Sequence, residues 1–471
     1  MRPDLAPDLQ RDRGSFRDPD GFIVRQGDRI FRIVLASAAE RWRQFAASGL
    51  AAELQSAGLL VRTQEVAAEP LASELNLPDG AIVLAHERIP FISYPYEWTF
   101  DMLRDAALLH LEIVERSLQH GWILKDATAY NVQFDGVKPL FIDVLSFSPL
   151  PAGEPWAGYN QFCRMMLYPL LLEAYKQVPF QPWLRSELEG IDPVACSRMF
   201  RGLDRLRPGV LSHITAQAYL QSKYASANFS VRQQIKSAGM TREMIARNVQ
   251  KLRKLLLGLC GPKKPTTWSG YSRDHYASEA LTAKESFVIE SIGGRRFPMV
   301  WDLGCNDGHF SRHVAGSTQT VVAMDADPGS INHLYADLAK QEDCGNILPL
   351  LINLANPSPA QGWAGSERAS LVERGKPDLA LALALVHHIV ISANVPLAAL
   401  VEWLAGVTPE LIVEFISKDD AMVQRLLLNK DDTYNDYSRA SFEQYLQRWF
   451  QIRSRRELPG GTRTLYHAAA K

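Results

Sequence analysis

Apolar and polar positions in the first half of the chain follow two different periods. From Phe22 to Val34, apolar and polar residues alternate on both sides of a central turn, which predicts a β-hairpin. Apolar residues spaced three and four apart predict helices from Ala36 to about Leu60 and from Phe100 to Gln119, with a strand from Ala81 to Ile89 between them. From Trp156 to about Leu257 nearly every signal is helical. The first half is therefore predicted to be α+β and to become largely helical.

The last third of the chain alternates short apolar strands with helical segments. This order is typical of an α/β fold, in which helices flank a mostly parallel sheet. The last two strands read as an antiparallel hairpin. The predicted strands are Met299 to Leu303, Thr320 to Met324, Pro377 to His388, Glu410 to Ile416, Phe450 to Glu457 and Arg463 to Ala469.

A length of 471 residues exceeds one ordinary domain, since domains usually span about 100–200 residues. Changes in pattern and in Pro, Gly and charge content predict four segments. They are a flexible N-terminus (1–20), an α+β domain (21–235) with a helical lobe (156–235), a basic helical linker (236–267) and an α/β domain (268–471).

Composition narrows the class of protein and its partners. The chain is 46% hydrophobic and 22% charged with a net charge of -1, so no global field favours nucleic acid or an anionic membrane, and the basic linker is better explained as a solvated helix face. Five scattered cysteines without a CxxC pair argue against a zinc cage or a disulfide framework, so no metal is expected. With no signal peptide and no apolar run of about 18 residues, we expect a cytoplasmic protein without a membrane partner.

The turn after the first strand of the α/β domain has the composition of a nucleotide site. Gly304 and Gly308 lie between a strand and a helix start, where glycine lets the backbone approach a ligand and free amides act as donors. The next strand ends at Asp325, at the spacing where an acidic side chain accepts hydrogen bonds from ribose hydroxyls. A dinucleotide-binding domain shares both features, although its fingerprint is GxGxxG.

The DLGCNDG form of this turn, the acidic strand end and the terminal hairpin resemble the class I S-adenosylmethionine (SAM)-dependent methyltransferases, whose first motif is DxGxGxG. Asn306 stands at the middle glycine and tolerates the left-handed conformation better than most residues. The resemblance implies a Rossmann-like seven-stranded sheet, SAM as cofactor and a small-molecule or macromolecular methyl acceptor. It places Asp302, Gly304 and Gly308 at the methionine, Asp325 at the ribose and Asn353-Leu354 beside the adenine. The implied cofactor-binding residues are Asp302, Gly304, Cys305, Asn306, Gly308, Asp325, Ala326, Asn353 and Leu354.

Three residues are candidates for catalysis. Methyl transfer from SAM needs mainly positioning of the acceptor, and a base only where the acceptor must lose a proton. His387 and His388 stand at the end of the strand predicted from Pro377 to His388, where relatives often carry a histidine pair, and Glu414 lies on the strand predicted from Glu410 to Ile416. It is equally consistent with the sequence that one of these two histidines packs in the core and the other only shapes the pocket.

The N-terminal domain carries a second resemblance. Asp126, Asn131 and Asp143 match in order and approximate spacing the residues of a kinase catalytic loop that position a hydroxyl and hold magnesium. This implies a kinase or aminoglycoside-phosphotransferase-like fold that could bind ATP and Mg²⁺. No lysine precedes Lys125, and Phe22 to Val34 contains no Gly-rich loop. A degenerate nucleotide site is therefore favoured over an active one.

Three functions follow, and all remain open at the level of sequence. The leading one is a SAM-dependent methyltransferase whose N-terminal domain recognises the acceptor or regulates the enzyme. The second is a phosphotransferase with a SAM-sensing C-terminal domain, and the third is a non-catalytic scaffold. The whole chain is similar to bacterial nodulation-associated methyltransferase-like proteins, a resemblance that leaves the acceptor undefined.

Overall fold

The chain forms two compact units in a computed structural model. Unit 1 comprises residues 1–134, 139–263 and 361–368, and unit 2 comprises residues 135–138, 264–360 and 369–471. The predicted boundary at residues 267 and 268 lies outside the described residues. No helix in the described part is both long and apolar enough to span a membrane. The structure describes residues 9–69, 71–225, 239–262, 278–341, 345–428 and 430–471.

Unit 1 begins with a five-stranded antiparallel sheet in the order β1-β2-β3-β5-β4. The predicted hairpin is confirmed, because β2 and β3 pair across a two-residue turn at Gly27 (φ 56°). The segment up to residue 20, predicted to be flexible, contains strand β1 in its described part. Leu9 pairs with β2 and is buried against Val24 and Phe31, which fixes the strand. The strands are β1 (Leu9–Arg11), β2 (Gly21–Gln26), β3 (Arg29–Val34), β4 (Thr63–Val66) and β5 (Ile82–His86).

The helices of the N-terminal part of unit 1 partly match the sequence pattern. The helix predicted from Phe100 to Gln119 has those bounds, and the Thr99 hydroxyl caps it by accepting a hydrogen bond from the Met102 amide. The helix predicted from Ala36 to about Leu60 is instead two helices, because Gly49 adopts a left-handed conformation (φ 80°). The helices are α1 (Ala36–Ala47), α2 (Leu50–Ser56), α3 (Leu71–Leu75) and α4 (Phe100–Gln119).

Two small antiparallel pairs follow α4. They are β6 (Trp122–Leu124) with β9 (Phe147–Pro149), and β7 (Val132–Asp135) with β8 (Lys138–Phe141). Short 3₁₀ turns lie at Arg13–Ser15, Pro95–Glu97, Ala129–Asn131, Val144–Ser146, Gly202–Leu206, Trp363–Gly365 and Leu371–Glu373.

The helical character predicted from residue 156 onward is confirmed in the described residues. Two π-helical segments, Cys163–Leu167 and Val210–Thr215, connect with the α-helices. The last helix of unit 1 lies in the segment predicted as a basic linker, and it buries an apolar stripe of Ile245, Val249 and Leu252 beside α4. The helices are α5 (Tyr159–Phe162), α6 (Tyr168–Lys176), α7 (Gln181–Ser186), α8 (Pro193–Met199), α9 (Ala216–Ala225) and α10 (Arg242–Leu257).

Unit 2 contains a seven-stranded sheet in the order β12-β11-β10-β13-β14-β16-β15. Strands β10 to β14 are parallel, and their nearly continuous apolar sequences suit burial on both faces. The predicted terminal hairpin is confirmed: β16 runs antiparallel between β14 and β15. The strands are β10 (Phe297–Leu303), β11 (Thr318–Asp325), β12 (Ile347–Leu351), β13 (Leu379–Ala382), β14 (Glu410–Ile416), β15 (Phe450–Glu457) and β16 (Arg463–Ala470).

The helices of unit 2 connect these strands. The strand predicted from Pro377 to His388 is shorter than expected, because Ala384 (φ 51°) turns the chain just after β13. A π-helical turn, His388–Ser392, follows. The α-helices are α11 (Ser278–Ile292), α12 (His309–Ala315), α13 (Pro328–Leu338), α14 (Leu397–Val407), α15 (Ala421–Leu427) and α16 (Arg439–Trp449).

Candidate functional site

The Gly-rich turn of unit 2 joins the end of β10 to the start of α12. Gly304 (φ 78°) and Gly308 (φ 77°) both use the left-handed region, and a Cβ at Gly308 would lie 2.5 Å from a methyl of Leu334. Asn306 (φ 50°) adopts the same region, as its place at the middle glycine requires. The amides of Gly304 and Cys305 both donate to the Met324 carbonyl, at 2.8 and 3.0 Å. The turn is therefore fixed to the neighbouring strand β11.

Asp325 ends β11 and fastens this turn through its side chain. Its Oδ2 accepts a hydrogen bond from the Asn306 amide at 2.9 Å, and its Oδ1 accepts one from the Asp327 amide at 2.9 Å. Burial raises the pKa of Asp325, against the effect of these backbone donors. Each carboxylate oxygen has a second lone pair, which leaves the group able to accept further hydrogen bonds.

Asp302 lies on β10, one strand away from Asp325. The Ser311 hydroxyl donates to its Oδ2 at 2.6 Å. Burial raises the pKa of Asp302 to about 7, and the nearby carboxylates of Asp325 and Asp307 add to the effect. A cation bound here would favour the charged carboxylate, so this end of the turn suits a positively charged ligand.

The residues predicted to flank an adenine lie at the same edge of the sheet. Asn353 and Leu354 follow β12, whose last residue, Leu351, is in register with Asp325. Asn353 is exposed, and its side-chain oxygen accepts from the Ala355 amide at 3.0 Å. The carboxyl ends of three adjacent parallel strands thus bring together the residues predicted to bind the cofactor. They are Asp302, the Gly-rich turn, Asp325, Ala326 and Asn353.

His387 and His388 lie beyond the carboxyl end of β13, the strand beside β10. Their rings are 4.1 Å apart. Burial lowers the pKa of both side chains, for His388 to about 4, so both are neutral at pH 7. The Nδ1 atom of His387 is buried and has no hydrogen-bond partner among the described residues. A neutral imidazole has a lone pair that can accept a proton, and the lowered pKa makes it a weaker base than an exposed histidine.

Glu414 is fully buried on β14 and holds the turn beneath these histidines. Its Oε2 accepts from the Lys284 ammonium at 2.7 Å and from the Ala384 amide at 2.8 Å. Its Oε1 lies 3.9 Å from Nη1 of Arg463, which forms two hydrogen bonds to Asp420 at 2.7 and 3.1 Å. Glu414 is therefore placed to orient the turn.

Sequence reasoning missed Lys284 and Arg463. A signal for Lys284 was available, because it stands on the apolar stripe of α11, between Ala280 and Val288 at four-residue spacing. Arg463 follows the hairpin turn and gives no such signal. Its partner Asp420, just beyond β14, is buried.

Unit 1 brings its three predicted site residues together. The Asn131 amide group donates to the Ser146 hydroxyl at 3.2 Å and to Asp143 at 3.4 Å, and Ser146 donates to the same Asp143 oxygen at 2.7 Å. Burial and the neighbouring carboxylate of Asp143 raise the pKa of Asp126. On β3, Arg32 forms an ion pair with Asp143 at 3.1 Å.

The loop between β1 and β2 adds two further carboxylates. Asp18 pairs with Arg32 at 3.2 Å, and Asp20 pairs with Lys125 at 2.7 Å and with Arg41 at 2.5 Å. Although burial acts to raise it, the hydrogen bonds from Lys125 and Arg41 lower the pKa of Asp20. The cations around this group are thus neutralised by the chain itself.

No family model matches the chain. It is 35% identical over 465 residues to the nodulation protein NoeA of Rhizobium meliloti strain 1021, and the match covers 98% of this chain and 96% of that protein.

Solved structures align with about two fifths of the chain. The N-methyltransferase NodS of Bradyrhizobium japonicum WM9 is 11% identical with a TM-score of 0.31, over 41% of this chain and 97% of that one. The bifunctional kinase-methyltransferase WbdD is 20% identical with a TM-score of 0.28, over 40% and 38%. TM-scores this low do not establish a shared fold.

Proposed function

This chain belongs to the family of the nodulation protein NoeA, and from its own geometry we propose that it is a SAM-dependent methyltransferase with unit 2 as its cofactor-binding part. The observation that supports this most is the position of β16, antiparallel between β14 and β15. A sheet that ends in a reversed hairpin is the feature that favours the methyltransferases over the dinucleotide-binding domains with which the Gly-rich turn alone is compatible.

The strand order also indicates where the cofactor binds. The order in which the parallel strands follow one another reverses between β10 and β13, and ligands of open α/β sheets bind outside the carboxyl ends of the strands at such a point. We propose that Asp302, Gly304 and Gly308 surround the methionine part of SAM. Asp325 accepts hydrogen bonds from the ribose hydroxyls, and Asn353 with Leu354 flanks the adenine. The raised pKa of Asp302 suits a site that receives a cationic ligand.

In this proposal the protein accelerates methyl transfer mainly by positioning the acceptor, and a base removes a proton only from an acceptor that must lose one. SAM supplies a charged, activated methyl donor. His387 is the candidate base, since its neutral imidazole is buried beside the reversal point with an unpartnered Nδ1. His388 shapes the same place. Glu414 is a positioning residue, because its Oε2 accepts from the Ala384 amide in the turn that carries the histidines and pairs with Lys284 of α11.

Unit 1 is proposed to recognise the acceptor or to regulate transfer. A phosphotransferase is the second candidate, favoured by the contacts that join Asn131, Ser146 and Asp143. The carboxylates of Asp18 and Asp20 oppose it, because they occupy the cations that would otherwise bind phosphate and would repel the phosphate charge.

Calorimetric titration with SAM tests the proposed function. Asp325→Ala should weaken SAM binding about 10- to 150-fold, because charge-assisted hydrogen bonds of about 1.5–3 kcal/mol are lost. Asp325→Asn, which keeps the shape of the side chain, should also weaken binding. Asp378 is a matched control at the opposite edge of the sheet, where its carboxylate accepts from the Met299 amide at 2.9 Å. Asp378→Ala should leave SAM affinity unchanged.

Two outcomes would contradict this proposal. One is a folded wild-type chain that gives neither heat of binding nor a thermal shift with SAM. The other is binding of SAM by the Asp325 variants as tight as that of the wild type.

A further inference from the structure

Three side chains of unit 2 to which the proposed SAM site gives no role converge beside the Gly-rich turn. Glu285 lies on α11, and His309 and His313 lie four residues apart on one face of α12. Their carboxylate and imidazole ligand atoms all lie within 4.8 Å of one another. We propose that these three residues bind a divalent transition metal of the zinc type. Two histidines and one glutamate form a ligand set that zinc uses in proteins, with remaining positions open to water.

The distances between ligand atoms suit a single ion. Nε2 of His309 lies 2.8 Å and Nε2 of His313 lies 3.8 Å from Oε1 of Glu285. Metal–ligand bonds of about 2.0–2.1 Å in tetrahedral geometry put ligand atoms about 3.3–3.4 Å apart. One observed separation is shorter and the other longer by about half an ångström, so small side-chain rotations bring both to that value.

Hydrogen bonding orients His313 for coordination. Its Nδ1 lies 2.8 Å from the His309 carbonyl, which only accepts, so Nδ1 carries the proton and donates. Nε2 is then left with its lone pair on the side of Glu285. A histidine whose second nitrogen donates to a carbonyl is the arrangement that fixes the tautomer of metal ligands.

His309 requires one proton to move. Its Nε2 donates to Glu285 in the metal-free chain, since a carboxylate only accepts. On coordination this proton relocates to Nδ1, and both glutamate and imidazole then face the ion. The side chains are 26% to 38% exposed, which gives an ion and its remaining water ligands access from solvent.

Zinc titration of the full-length chain, in a Cys260→Ser background that removes an exposed thiol, tests the site. The chain should bind Zn²⁺ at this site, and its melting temperature should rise with Zn²⁺ concentration. His313→Ala and the isosteric Glu285→Gln should each weaken binding at least tenfold. The matched control is His333→Ala. His333 pairs with Asp337 at 3.3 Å on a helix face, but it belongs to no group of three potential ligands among the described residues.

Cobalt absorption supplies an independent readout. Co²⁺ should give the visible bands of a four- or five-coordinate ion in the wild type, and Glu285→Gln should remove or shift them. The proposal is overturned if Zn²⁺ fails to bind, or if the folded Glu285→Gln and His309→Ala/His313→Ala variants bind it as the wild type does. Neither readout depends on SAM or on methyl transfer.

Discussion

Buried histidines make the stability of unit 1 sensitive to acid. His110 lies on α4 with both ring nitrogens buried and without hydrogen-bond partners among the described residues. The rings of Phe141, Trp156 and Phe162 surround it at 5.7–5.8 Å. Burial lowers the pKa of His110 to about 3, whereas an unfolded histidine titrates near 6.5. Below pH 6.5 the unfolded chain therefore binds more protons than the folded chain.

The expected result is a loss of stability as pH falls from 6.5 toward 3. The contribution of His110 is fully present above pH 6.5 and falls by about 1.4 kcal/mol per pH unit below it. Replacement by phenylalanine should remove the part of the slope that comes from His110, and no buried nitrogen would lose a partner. Urea unfolding of His110→Phe and wild type at pH 7.5 and 5.5 measures the difference.

A variant of the same cluster provides the control. Phe162→Leu disturbs the packing around His110 without removing a titrating group, so it should lower stability equally at both pH values. A pH slope in His110→Phe equal to that of the wild type would contradict the expectation. His86, with a pKa lowered to about 3, and His213, with one lowered to about 4, contribute in the same direction.

At the level of elements, the buried pair of Lys284 and Glu414 connects α11, β14 and the turn after β13. Removing one partner of a buried ion pair leaves an uncompensated charge, which costs about 3–5 kcal/mol. Lys284→Met and Glu414→Leu should each cost up to about that much, and Lys284→Met should cost the less of the two because Arg463 lies 3.9 Å from Glu414. The double variant should be less destabilised than the sum of the two, by about 0.5–3 kcal/mol.

An exposed pair on the same helix provides the comparison. Glu290 of α11 pairs with Arg456 at 2.6 Å, and their side chains are 61% and 35% exposed. Its coupling energy should be within about 0–1 kcal/mol, because water screens the charges. Chemical unfolding of both sets of variants measures the two couplings. Equal couplings for the buried and the exposed pair would show that Lys284 and Glu414 do not act as a unit.

Element bounds were predictable where the local sequence determines them. The helix Phe100–Gln119 carries its own cap and apolar stripe, and the strand Glu410–Ile416 is a nearly continuous apolar run. Other bounds depend on distant partners. Leu9 forms a strand because it completes the core of unit 1, and β13 ends early because the distant Glu414 holds the turn at Ala384.

In the candidate site of unit 2, too, some residues could be placed from the sequence and others could not. Asp302, Gly304 and Asp325 could be placed together from sequence, because consecutive parallel strands put their carboxyl ends at one edge. Lys284 and Arg463 could not, since each reaches the site from an element far away in the chain.

At the scale of the whole molecule, the carboxylates around the two candidate sites have different partners. In unit 2 the buried carboxylates of Asp302 and Asp325 accept hydrogen bonds from a hydroxyl and from backbone amides, and a cationic ligand would stabilise their charged forms. In unit 1 the ion pairs of Asp18 and Asp20 neutralise the cations that an anionic nucleotide would need. The wild-type chain should therefore bind SAM and bind Mg-ATP weakly, without ATP turnover.

Removing the two carboxylates should restore anion binding to unit 1. Asp18→Asn/Asp20→Asn leaves Lys125 without its acidic partner and leaves Arg32 paired with Asp143 alone. It also removes repulsion that reaches several kcal/mol at short range. Calorimetric affinity for Mg-ATP should rise at least tenfold, while SAM affinity stays unchanged. Asp28→Asn/Glu65→Gln makes the same change in net charge at ion pairs on the sheet surface, so it should leave both affinities unaltered. ATP turnover by the wild type that disappears in Asp143→Ala would instead establish unit 1 as a phosphotransferase, because Asp143 would then hold the metal on the phosphates.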